Sequence, residues 1–203
     1  MLTLTYALVT LSVEQKKMQA RLLELQQQVQ IERQQRLRSN QARFDLLVTQ
    51  FMQLDEACRL RSIELYVLPA MREASPEVDG LLADIDALTL MGRITLKTVR
   101  GRLRQAATHG TFEMDYLCDS LQQYCQDMLK RLSLEETRVL PLAQRVISSD
   151  EWFDLAARFI SHEADRGSRK PIDMEEAGDT FAAPRVVAIK GSGRAPMHAK
   201  HLS

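Results

Sequence analysis

The sequence predicts an all-α protein, an up-down-up-down bundle of four long helices with a short fifth helix and an extended, flexible C-terminal tail. Three observations predict it. Gly and Pro are sparse up to residue 166, while Gln, Leu, Arg and Glu are abundant and aromatics make up only 5% of the 203 residues, which is a composition of good helix formers. Four long segments place apolar residues at spacings of three, four or seven, the period of a helix with one buried face. Short polar breaks separate them, and short connections favour antiparallel neighbours.

The first segment runs from about Leu4 to Leu37, with Leu8, Leu11, Met18, Leu22, Leu25 and Val29 in phase. Its opening, MLTLTYALVTLSV, is apolar for about a dozen residues. That is too short to span a bilayer and lacks a basic lead or a small-residue cleavage site, so it reads as the first turns of a core helix. After Ser39-Asn40 the second segment runs to about Glu73 through Phe44, Leu47, Phe51, Leu54 and Cys58. Ser75-Pro76-Glu77 supplies a capping serine, a proline for the first helical position and an early acid, the signature of a helix start. This third segment ends at His109-Gly110.

The fourth segment starts at Thr111, and its inward stripe is traced as Met114, Leu117, Leu121, Tyr124, Met128, Arg131, Glu135 and Val139. Arg131 and Glu135 interrupt an otherwise apolar face. Ser148-Ser149-Asp150-Glu151 fits a capping box for a fifth helix, whose Trp152, Phe153, Leu155, Phe159 and Ile160 would cover one end of the bundle. The helical domain is therefore placed at 1–165 and the tail, rich in Gly, Pro, Ser, Ala and charge, at 166–203. In the tail, GSGR at 191–194 lacks the strand and helix of a phosphate loop, and His198 and His201 form a weak metal site.

The 27 basic and 27 acidic side chains cancel, so no net field holds nucleic acid or an anionic membrane. Cys58, Cys118 and Cys125 cannot all pair within one chain and form no C-x-x-C motif, which suggests a reduced, cytoplasmic protein with cysteines packed as small core residues. No G-x-S-x-G and no glycine loop after a strand appears, so an enzyme is not expected.

The run L-E-E-x-x-V-L-P-L-A at 134–143, followed by the tryptophan-led stretch at 151–160, resembles the last bundle helix of bacterial hemerythrin-like (HHE cation-binding) proteins. The second segment carries a parallel echo, I-E-L-Y-V-L-P-A-M at 63–71, and V-E-Q-K-K-M-Q-A-R-L-L-E-L near the start is similar to the family's first helix, where an E-H pair stands. The resemblance covers residues 1 to about 162. It implies a di-iron centre held by histidines and two bridging carboxylates inside the bundle. The acidic positions survive as Glu64 and Glu135, but the histidine positions fall on Gln15, on Leu60 or Arg61, around Leu90, and on Arg131. The four histidines, His109, His162, His198 and His201, lie at helix ends or in the tail by this reading.

The resemblance thus implies a vestigial site with no metal or other cofactor expected. Two readings of its charges stay open. Arg61 with Glu64 and Arg131 with Glu135, three and four residues apart, are ordinary solvated surface pairs, or their guanidinium groups stand buried where the metals would be. The expected function is a metal-free, non-catalytic interaction or regulatory module with a protein partner, for which the polar stretch from Gln26 to Gln41 and the tail offer surface. The alternative is an iron-binding protein handling oxygen, nitric oxide or iron through Glu64, Glu135 or Glu136, Tyr66 or Tyr124, and a cysteine such as Cys125. A third reading is a homodimer through the first helix.

Overall fold

The computed structural model of the chain describes residues 2–35, 41–109 and 113–168. All regular structure among them is helical. Helix α1 spans Leu2–Gln34 and α2 spans Gln41–Arg59; a π-helical turn, Ile63–Val67, leads into α3, Leu68–Ala74. A 3₁₀ turn at Pro76–Val78 opens α4, Asp79–His109. Helix α5, Met114–Leu134, passes through a second π turn, Glu135–Val139, into α6, Leu140–Val146, and α7 follows at Ser149–Ser168. The chain divides into two units, Met1–Asp165 and Arg166–Ser203. The sequence features at 191–194, His198 and His201, and the tail beyond Ser168, lie outside the described residues.

Helix α1 packs along α5 and α2, and α4 packs along α5 and α2, so each long helix touches two others. The traced stripe of α5 is buried throughout, from Met114 to Val139. Ser75 accepts from the Glu77 N–H at 3.2 Å as the expected cap, and Ser148 and Glu151 form the reciprocal capping box at 2.8 and 3.3 Å.

Two expectations need correction. The second segment is not one helix to Glu73: it breaks at Leu60-Arg61 and restarts at Ser62. No Gly or Pro stands at the break. Instead, the Ser62 N–H and hydroxyl donate to Glu14 on α1 at 2.8 and 3.1 Å, and Arg61 Nε donates to the Cys58 carbonyl at 3.2 Å, so side chains replace the local helical bonds. On α7, Trp152, Leu155 and Phe159 are buried as expected, but Phe153 and Ile160 are exposed and Ala156 takes the inward position.

Both π turns have the same cause. Pro69 and Pro141 lack the N–H that an α-helix would direct at Leu65 and Thr137, and their rings crowd those carbonyls. The chain widens one turn earlier, where Leu68 N–H bonds the Ile63 carbonyl and Leu140 N–H bonds the Glu135 carbonyl, five residues back. The widening also keeps one face inward. Arg131, Glu135, Val139, Ala143 and Ile147 are all buried at steps of four, and in a pure α-helix each such step would rotate the stripe by about 40°.

Buried apolar side chains form two clusters. One contains Met18, Leu22, Phe44, Phe51, Cys58, Leu96, Tyr124 and Met128, among others; the second contains Leu11, Ile63, Val67, Ile85, Val139, Trp152 and Phe159. The polar residues Gln15 on α1, Arg61 and Ser62 in the break after α2, Arg131 near the end of α5 and Glu135 at the start of the second π turn are buried where the chain passes from one cluster to the other.

Candidate functional site

The break in the second segment and the second π turn bring two arginines and two glutamates into one layer. Arg61 and Arg131 are 2% and 1% exposed and Glu135 is 1% exposed. The dominant pairing runs between segments. The two terminal nitrogens of Arg61 donate to the two oxygens of Glu135 at 2.8 Å each, the bidentate geometry a planar guanidinium matches. Arg131 in turn contacts the Glu64 carboxylate. The pairs within each segment, Arg61 to Glu64 and Arg131 to Glu135, close the quartet at 3.2 Å each.

The two arginines differ in how they engage the carboxylates. Arg61 uses Nε on the Cys58 carbonyl and both terminal nitrogens on carboxylates. Arg131 directs one terminal nitrogen at the Cys58 sulfur at 3.6 Å, the other at the Glu64 carboxylate, and its Nε lies 3.2 Å from Glu135. Burial lowers the Arg61 pKa, and the Glu135 carboxylate, then Cys58 and Glu14, more than offset it, so the net shift is upward. Burial likewise pushes the Cys58 thiol up, with Arg61 and Arg131 opposing it in part.

The layer is tied to the other helices by neutral and single-charge contacts. Gln15 donates to the Leu132 carbonyl at 2.7 Å, linking α1 to α5. Tyr124, edge-on to Phe51 with centroids 5.6 Å apart, donates to Asp55 at 3.4 Å. Burial first, then the Asp55 charge, pushes that phenol's pKa up, which keeps it a neutral donor.

The sequence-derived positions are therefore only partly gathered. Gln15, Arg61, Glu64, Arg131 and Glu135 meet in the layer. Leu60 and Leu90 do not: they are 44% and 57% exposed. Leu60 turns outward in the break between α2 and the first π turn. Along α4, Leu90 faces away because the inward position is Gly92, where an added Cβ would lie 3.1 Å from the Tyr124 ring. His162 is not at a helix end: it sits within α7, 3.1 Å from the Leu60 carbonyl and edge-on to Tyr66. Sequence reasoning missed Ser62 and the capping role of Glu14. An acid beside the Gln15 position was a visible signal, but its partner lies 48 residues away.

As a metal site the layer is poorly equipped. Among the described residues no group of three His, Cys, Asp or Glu side chains is placed to hold a metal ion. Within the quartet the oxygens of Glu64 and Glu135 face guanidinium groups, which stay protonated and cannot ligate. Glu136, Tyr66 and Cys125 stand outside it: Glu136 is exposed, Tyr66 packs against Phe159 and His162, and the buried Cys125 thiol is pushed up to about 12 by desolvation.

Compared with known proteins, the chain matches no family model, and no curated protein or solved structure is significantly similar to it. No helix among the described residues is long and apolar enough to cross a membrane.

Proposed function

We propose that the protein is a hemerythrin-like, up-down-up-down four-helix bundle that carries no metal and works as a non-catalytic interaction or regulatory module. The crossed quartet of Arg61, Glu135, Arg131 and Glu64 carries this reading. The buried Glu135 carboxylate, with the half-buried Glu64 beside it, needs compensating positive charge. In the family that the sequence resembles, iron supplies it; here guanidinium groups stand on the same carboxylates. The donor set does not fit a nitrogen-rich iron pair, because its nitrogens belong to arginine and the nearby imidazole of His162 is engaged at Leu60.

Metal analysis and visible absorption of protein purified under reducing, metal-replete conditions test this. The expected result is a folded helical protein without stoichiometric metal. A pair of irons per chain with a near-ultraviolet charge-transfer band would overturn it in favour of an iron-handling protein with a rearranged ligand set.

A further inference from the structure

Helix α4 has two apolar faces. One is buried through Leu82, Ile85, Leu96, Val99 and Leu103. On the opposite face Ala83, Ala87, Leu90 and Ile94 follow one another at steps of four, three and four, with Met91 beside them, and all are exposed, Met91 by 53% and Ile94 by 49%. Those steps match the a/d spacing of a coiled-coil seam over less than two heptads. Charge is divided along the same helix: Asp79, Asp84 and Asp86 lie in its first part, and Arg93, Lys97, Arg100, Arg102 and Arg104 in its second.

We infer that this face is a self-association surface on which α4 packs antiparallel against α4 of a second copy of the chain. The register follows from volume and charge together. Setting Ala83 opposite the second copy's Ile94 also sets Ala87 opposite its Leu90, so each large side chain meets a small one. At 3.6 residues per turn, Asp79, Asp86, Arg93 and Lys97 fall along one edge of the seam. In this register Asp79 comes within one residue of the second copy's Lys97, and Asp86 within two of its Arg93. Two-fold symmetry repeats both pairs. A parallel arrangement would instead set acid against acid and base against base, which is unfavourable. Asp86 already contacts Arg72 at 2.6 Å with both side chains largely open to solvent, and a carboxylate can accept from a second donor. The seam is short and the contact correspondingly weak.

This inference goes beyond the proposed function and stands or falls separately from the metal content. Sedimentation equilibrium of the full chain over a concentration series tests it. The expected result is a mass rising from one chain, 23.2 kDa, towards two, more readily at low salt. Ile94→Asp, at an exposed site, should retain the helical circular dichroism and stay at the mass of one chain. Arg93→Glu should weaken association about tenfold or more by facing Asp86 with like charge, and adding Asp86→Arg should restore it. A single-chain mass at every concentration, association indifferent to Ile94→Asp, or a charge exchange that fails to restore it would each overturn the inference.

Discussion

The two π turns share a sequence ending, V-L-P, and a cause, yet they hold their arginines differently. Before the first, the helix is broken, and Arg61 stands in the break with all three nitrogens hydrogen-bonded and Glu135 held in bidentate fashion. Before the second, α5 runs on without interruption, and Arg131 projects from a regular helix and reaches each of the two carboxylates through one nitrogen only. An interruption leaves a side chain free to take up the geometry its charge requires, whereas a continuous helix fixes the direction in which the side chain leaves the backbone.

The largest effect that would break this comparison is the loss of one arginine. Arg61→Ala leaves Glu135 buried and without its bidentate partner, so it should destabilise the fold by about 3–5 kcal/mol in chemical denaturation. Arg131→Ala should cost less, because Glu135 keeps its bidentate bond to Arg61 and Glu64 is only half-buried. Equal costs would show that alignment is irrelevant to the layer. Replacing Glu135 by Leu in the Arg131→Ala background should recover little, since Arg61 then loses its principal partner; full recovery would mean that Arg131 and Glu135 act as an isolated pair.

A smaller effect separates the break from the continuous turn. Glu14→Ala removes the charged acceptor for the Ser62 N–H and hydroxyl and should cost about 1.5–3 kcal/mol, with hydrogen exchange accelerating at the first π turn and not at the second. Gln15→Leu, which removes the side-chain donor to the Leu132 carbonyl and leaves it the Glu135 N–H, should cost about 1 kcal/mol and act on α5 instead. Exchange that rises equally at both turns in either variant would contradict the assignment.

The last effect, absent at neutral pH and confined to alkaline solution, concerns the Cys125 thiol buried on the regular part of α5. Cys125 is a neutral acid whose folded pKa, about 12, lies above its ordinary value of 9.0. The stability linked to it is fully present below pH 9 and is lost as pH rises towards 12. Stability should therefore decline over that alkaline window, and Cys125→Ala should make the decline shallower, with Cys58, Cys118 and Tyr124, whose pKa values burial also raises, carrying the remainder. Over the same range Arg61 should contribute nothing to the slope, because its pKa is shifted further upward.

Much of the framework was legible because it depends on local chemistry. The stripe of α5, the Ser75 cap, the capping box at Ser148 and the inward face of α1 through Leu11, Met18, Leu22, Leu25 and Val29 all follow from period and propensity. The break at Leu60-Arg61 was not legible, since its causes are Glu14 on another helix and an arginine turning back to a carbonyl. Leu60 and Leu90 were misplaced for related reasons: alignment to a motif fixes a position along the chain but not the direction in which it faces. Gly92 carried the opposite signal, as a small residue where α4 passes close to Tyr124.

The sequence by itself determined that the protein is helical, where most helices begin, and which faces of the first and fourth segments are apolar. The tertiary structure alone decided which charges meet. Spacing along the chain paired Arg61 with Glu64 and Arg131 with Glu135, and those contacts exist at 3.2 Å, but the bidentate bond joins Arg61 to Glu135, 74 residues apart. A helix restricts neighbours three or four apart to whatever angle the backbone allows, while two packed segments can bring a planar cation and a carboxylate face to face in a water-excluded layer, where the better geometry counts for most.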